Sequence, residues 1–443
     1  MVVMSQLSRP SRRHIVAALL ALPVFAPRLA QAQSSLDATS LGVVGDSGAD
    51  QSPALQLALQ QAAAAGQTLR LPPGVISVRN IEVPGNIIVE GVPGRTRLTA
   101  PVDTNAAVIA DRGNVVLRDI DFAGGNNGLI IEFSDDIALE RCSFRNSAIG
   151  VAITDSGVTI MDSRFSELDD AAIHAMDSRG LLITGNRIDY CGNAGIRIWR
   201  SQTGPDRSIV SNNRIANIDW RDGGNGQNGN AINIFRADEV TVADNHLSDC
   251  AFTAVRLNTT RNTIVSGNVC LRSGEVAIFS EFAFSGSVIA NNLIDGAATG
   301  ISITNLDSGG HLATCTGNIV RNITPTSPVN PDTMPVGIFA EADTAITGNT
   351  VQTVPGVGIA AGYGAFLRNV LVANNVVSAT RIGVGVSVVE GTGPVQVSGN
   401  LIHATEHAIA GLAWTDIVEP DLATNAGRFD NVSISGNSVG LAP

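Results

Sequence analysis

The octapeptide Leu181-Leu182-Ile183-Thr184-Gly185-Asn186-Arg187-Ile188 decides how this chain folds, because the chain keeps returning to it. Its template is an alternating apolar stretch, a polar bend containing Asn, and a second apolar stretch. Asn186, Asn213, Asn245, Asn268, Asn292, Asn318, Asn349, Asn375, Asn400 and Asn437 all hold the same template position, and Cys142 and Ser163 hold it in the two copies before them. Most spacings are 21 to 27 residues, with longer ones of 32, 31 and 37. Self-similarity of this period is the mark of a solenoid. The strands are too short for a leucine-rich horseshoe, helical stretches are missing from the repeats, and no propeller signature appears. Three short strands per turn predict an all-β fold, a single right-handed parallel β-helix. An amide at each tight bend can bond backbone and the amide of the next coil, so the Asn series reads as structural.

A second motif, small–apolar–polar–apolar, recurs between the bends. It appears as Ala172-Ile173-His174-Ala175, Gly195-Ile196-Arg197-Ile198, Ala231-Ile232-Asn233-Ile234 and Ala254-Val255-Arg256-Leu257. In a strand, alternate side chains face opposite ways. Stacked coils would therefore send His174, Arg197, Asn233 and Arg256 outward as one polar ladder on the surface. The column extends as Ile130, Ala152, the four polar residues, Phe279, Ser302, Phe339 and Ala360. The next outward column reads Met176, Trp199, Phe235, Asn258, Glu281. At ordinary strand spacing the polar strip is about 15 Å long. Asp169, Asp170, Tyr190, Asp219, Trp220 and Asp222 flank it in the connecting loops. Arg for carboxylates, aromatic rings for sugar faces and Asn for hydroxyls form a set suited to an acidic polysaccharide. A rival column, Arg164, Arg187, Arg214 and His246, follows the Asn positions and reads as solvated surface.

The chain has 443 residues, a formal net charge of -12, 4% aromatic residues, 46 glycines and no lysine. The acidic balance argues against nucleic acid or an anionic membrane as the main partner. The five cysteines, Cys142, Cys191, Cys250, Cys270 and Cys315, are read as buried free thiols. No C-x-x-C or His pair marks a metal site, and no cofactor is expected. The Gly-rich run Gly223–Gly229 lacks the strand and helix of a phosphate loop and reads as a flexible loop.

Residues 1–32 read as an export signal, with Ser11-Arg12-Arg13-His14-Ile15-Val16, an apolar run from Ile15 to Phe25, and Ala30-Gln31-Ala32 before the cut. The run is too short to anchor the chain, so no membrane partner is expected after cleavage. The pattern resembles a twin-arginine motif and implies a periplasmic or secreted protein. Residues 33–85 read as an N-terminal cap and 86–443 as the β-helix. Within the cap, Ser52 is expected to be the N-cap of a helix over 53–65 started by Pro53 and ended by Gly66. Leu55, Ala58, Leu59 and Ala62 share one face of it. Two short strands around Pro72-Pro73-Gly74 follow.

This segment resembles the start of pectate-lyase-like β-helix proteins, through Gly42, Val43, Gly45, Asp46, Asp50, Ala54, Leu55, Gln56, Ala58, Leu59, Pro72, Pro73 and Gly74. In that superfamily it closes the open end of the solenoid. Asp46 and Asp50 are accordingly read as turn and capping residues rather than calcium ligands. The whole mature chain resembles the twin-arginine-exported β-helix repeat proteins of bacteria. The resemblance implies that the insertions at 216–230 and 321–335 precede the motif strand and wall a polymer-binding groove.

The leading functional expectation is lyase or C5-epimerase chemistry on an acidic polysaccharide, with His174 as base and Arg197 and Arg256 neutralising the uronate. Asn233, Asn258, Asp169, Asp170, Tyr190, Trp199, Trp220 and Glu281 are the expected substrate-binding residues. One alternative is a non-catalytic glycan-binding or envelope structural protein. A further alternative is a glycoside hydrolase, pairing Asp170 with Asp177 or Asp219. The Gly-His-Gly of polygalacturonases and the Asp-Pro-His-Asp of alginate epimerases are both absent.

Overall fold

The computed structural model describes residues 34–224 and 226–441. The expected export signal at 1–32 lies outside them. The described chain is a right-handed parallel β-helix of about 14 turns. One sheet of 16 strands forms one wall, running in chain order from Ser35–Asp37 to Val432–Ser435. The strands on either side of the remaining corner pair coil upon coil into a continuous set of 27. A typical coil runs Leu182–Thr184, the Asn186 bend, Arg187–Cys191, a turn, then Ala194–Pro205. Every strand pairing is parallel except one, between Leu401–Ala413 and Asp416–Glu419 near the C-terminal end.

The Asn column shows why the repeat exists. Asn213 donates its backbone N–H and its Nδ2 to Asn245 Oδ1, both at 3.0 Å, and Nδ2 also donates to the Ile183 carbonyl. The same triple bond recurs from Asn186 to Asn400, each Asn feeding the next. Ser163 accepts from Cys142 N–H and itself donates to Asn186, as their shared template position requires. A bend inside a packed solenoid would strand its polar groups; the amide column pairs them.

The core is a strip of Ile, Val, Leu and Ala threading the coils, with Phe122, Phe144 and Phe165 stacked at 4.9 Å in the early ones. All five cysteines are free and buried, and burial pushes the Cys142 and Cys270 thiols up to about 12. The helix Ser52–Ala65 lays Leu55 and Leu59 against Leu71, Ile81, Val89 and Leu98 at the N-terminal end of the core. Ser52 is its first residue rather than its cap. The Asp50 carboxylate accepts from the Ser52 N–H and hydroxyl, and Ser52 Oγ accepts from the Arg79 N–H instead. Asp46 likewise accepts from the Val75 N–H. Among the described residues no cluster of three or more metal-ligating side chains occurs, and no helix is long and apolar enough to cross a membrane.

Candidate functional site

The motif strands stack in the register that alternation requires. His174 lies beside Arg197, Arg197 beside Asn233, Asn233 beside Arg256, and Arg256 beside Phe279. The second column pairs Met176 with Trp199, Trp199 with Phe235, Phe235 with Asn258, and Asn258 with Glu281. The rival column Arg164, Arg187, Arg214, His246 is also in register, but on the strands that follow the Asn bend, and it is exposed.

The expected open ladder is not a surface, however. Arg197 is 5% exposed and Arg256 7%, and Asn233 is buried too. The cause is the insertion between strands Arg214–Ile218 and Asn230–Asp238, which folds back over the motif strands. Gly226 sits against the Arg256 guanidinium at a φ of +125°, where a Cβ would fall 2.4 Å from Cζ. Its carbonyl accepts from Asn233 Nδ2 at 3.2 Å. Asn228 accepts from Arg197 at 2.8 Å and donates to the Gly223 carbonyl. The Gly-rich run is therefore a packed cover, not a loose border.

Each guanidinium is paired with carboxylate, although Arg197 Nε is left without a partner. Asp170 accepts from Arg197 at 2.9 Å and also from Asn193, which in turn donates to Asp222. Glu281 takes Arg256 as a fork, 2.7 Å from Nε and 2.9 Å from Nη2, and accepts from Asn258 at 2.9 Å. Glu275 accepts from Arg256 at 3.2 Å, from Thr253, and from Asn330 at 2.8 Å. Asn330 belongs to the second insertion, whose Ser327 also donates to the Gly274 carbonyl. The first insertion thus closes over Arg197 and Arg256, and the second over the buried Arg256–Glu275–Glu281 cluster.

His174 is partly buried, edge-on to the Trp199 ring at 5.3 Å, and its Nδ1 has no hydrogen-bond partner. Burial lowers its pKa, and the neighbouring Arg197 charge lowers it further, against a smaller opposing effect of Asp170. Burial and the Arg197 charge both favour the neutral imidazole, the form that accepts a proton.

The open part of the site is a pocket of about 320 Å³ bounded by Trp199, Phe235 and Phe282 on its apolar sides and by Gln227, Asn258 and Glu281 on its polar ones. Trp199 Nε1 donates to Asn233 at 3.2 Å, which fixes its ring. Trp199, Asn233, Asn258, Arg256 and Glu281 are brought together here. The remaining expected residues are elsewhere. Trp220 packs on Phe252 at 5.1 Å and donates to the Gly224 carbonyl, bracing the insertion. Asp169 is exposed and pairs with Arg221. Tyr190 and Asp219 line a different cleft, with Arg272 and Pro328. Of the carboxylates considered for hydrolysis beside Asp170, Asp177 accepts from the Ser201 N–H and Asp219 from the Trp220 N–H of its own loop. Gln227, Asn228, Glu275 and Phe282 were not anticipated. The two insertions falling at the same point of their coils were the available signal.

A family model for the right-handed β-helix region matches residues 105–226. Among solved structures, the N-terminal fragment of gene product 12 of bacteriophage Phi29 is similar at a TM-score of 0.58 and 15% identity, covering 91% of this chain and 70% of that one. The A-module of mannuronan C-5 epimerase AlgE6 of Azotobacter vinelandii reaches 0.49 at 17% identity, covering 92% and 99%. A mannuronic acid-specific polysaccharide lyase of family 6 from human gut microbiota also reaches 0.49, at 14% identity, covering 93% and 91%. No curated protein sequence matches the chain. At these identities the likeness is one of fold.

Proposed function

We propose that the pocket beside Trp199 is the binding groove of an exported polysaccharide-processing protein, with His174 as the base of a lyase or C5-epimerase step on an acidic glycan. The observation that carries this reading is His174 itself. It is an imidazole biased toward its neutral form by burial, with Nδ1 buried and unpartnered, one coil from Arg197 and edge-on to the Trp199 ring that lines the pocket. Abstraction of a proton next to a uronate carboxylate needs a base of this kind. The flanking aromatic and amide groups suit the apolar faces and hydroxyls of sugars.

A second reading, a non-catalytic glycan-binding protein, is favoured by the arginines. Arg197 and Arg256 already hold three carboxylates between them and present no spare charge to a uronate. Incubation with alginate, pectate and neutral glycans separates the two. Unsaturated ends or C5 solvent-proton exchange, lost in His174→Ala, establishes the first. Retention on immobilised glycan with neither signal establishes the second. Absence of both binding and turnover sinks the glycan reading. Export is tested apart from chemistry: Arg12→Lys with Arg13→Lys should leave the protein in the cytoplasm, and unaltered periplasmic delivery would refute the twin-arginine route.

A further inference from the structure

The outward column that carries Arg256 continues through Phe279 and Ser302 to Phe339 and Ala360. There it meets a second pocket, of about 150 Å³, formed with Tyr363, Trp414, Leu412 and Arg381. The Tyr363 ring stands edge-on to Trp414 at 5.0 Å and to Phe339 at 6.2 Å. Trp414 is carried on the turn of the antiparallel hairpin, outside the repeat. It remains 50% exposed and has a φ of +59°, left-handed backbone that a bulky residue rarely adopts. Gly364 lets the indole lie flat, since a Cβ there would come 2.4 Å from the ring. A half-exposed indole held in place by neighbouring aromatics is a preformed apolar platform.

We propose that this pocket is a second sugar subsite, in line with the first, where a pyranose stacks its apolar face on Trp414. The inference rests on the glycan reading above and adds to it that the ligand is a polymer. From the Arg256 coil to the Ala360 coil is four strand spacings, about 19 Å. A sugar suits the pocket better than a hydrocarbon does. Half of the indole is in water, and Arg381 at the rim is paired with Glu406 at 3.1 Å, so a ligand with one apolar face and a hydroxyl edge leaves that rim solvated. The second insertion ties the two places together. Asn330 holds Glu275 beside the first pocket, and Met334 and Pro335 wall the second.

The test uses unbranched oligomers of alginate and of cellulose, graded in length, with tryptophan emission as the readout. In protein carrying Trp199→Phe and Trp220→Phe, Trp414 is the single emitter and should respond to long oligomers. In otherwise unaltered protein, affinity should step up once the oligomer exceeds about 19 Å. Trp414→Ala should remove that step, about tenfold, while Trp414→Tyr keeps most of it. If oligomers shift Trp199 emission in protein with Trp220→Phe and Trp414→Phe, yet Trp414 is silent and Trp414→Ala keeps the length step, the subsite is refuted and the glycan groove stands. If no oligomer shifts either emission, both fall.

Discussion

Two columns of polar side chains run along the same coils, and they differ in a way that separates architecture from chemistry. The Asn column repeats one side chain, and from Asn186 to Asn400 each member makes the same bonds to the same neighbours. The groove column changes residue at each coil, His174, Arg197, Asn233, Arg256, and each member bonds to something different. The first is closed on itself, with its polar capacity used within the solenoid. The second is completed only by inserted loops and leaves two nitrogens unmatched, His174 Nδ1 and Arg197 Nε. Uniformity along a solenoid marks support, whereas variation at a fixed register marks a place where something other than the next coil is met.

Substitutions can break this contrast. The largest loss is expected from Arg256→Ala, which leaves Glu275 and Glu281 buried and unpaired; about 3 to 5 kcal/mol should go, read from the urea midpoint. A loss under 1 kcal/mol would mean that the insertion does not seal the network. Next comes Asn268→Ala, which removes the acceptor for Asn245 N–H and Nδ2 and two donors besides. It should lower stability by about 2 to 3 kcal/mol and leave glycan retention unchanged. Loss of retention at full stability would overturn the division of roles.

His174 contributes through pH. Its folded pKa is lowered, so the unfolded chain binds the proton more readily, and stability falls as pH drops through and below the ordinary histidine value. His174→Gln should flatten that part of the profile between pH 7.5 and 5.5, when the two proteins are unfolded side by side. The smallest effect belongs to Arg272→Ala. Its pair with Asp249 is as short, 2.6 Å, but open to water, and its removal should cost below about 1 kcal/mol.

Much of this was legible in the residues. Alternation and the Asn spacing were enough to place Ile130, Ala152, His174 and their successors in register, because a one-residue slip would turn the whole core outward. Burial of the ladder was not legible. Periodicity says which way a side chain points, and nothing about whether an aperiodic insertion lies on top of it. Trp414 carries no periodic signal for a related reason, since it sits on a hairpin that leaves the repeat. Tyr190 and Trp220 lie near the motif strands in sequence, but the corner between strands turns Tyr190 into a separate cleft and Trp220 onto Phe252.

The amide column also has a direction. Each Asn gives its backbone N–H and one amide hydrogen to the Asn of the coil that follows, and its other amide hydrogen to a carbonyl of the coil before. A growing chain emerging amino end first cannot complete a bend until the next coil has been made, so its newest turn is always the unfinished one. Removing coils from the carboxyl end, wherever the cut falls, would expose two unmet donors. Removing them from the amino end would expose one amide oxygen and a single amide hydrogen. The solenoid is in this sense a ratchet in covalent time, tightening one turn behind its own synthesis.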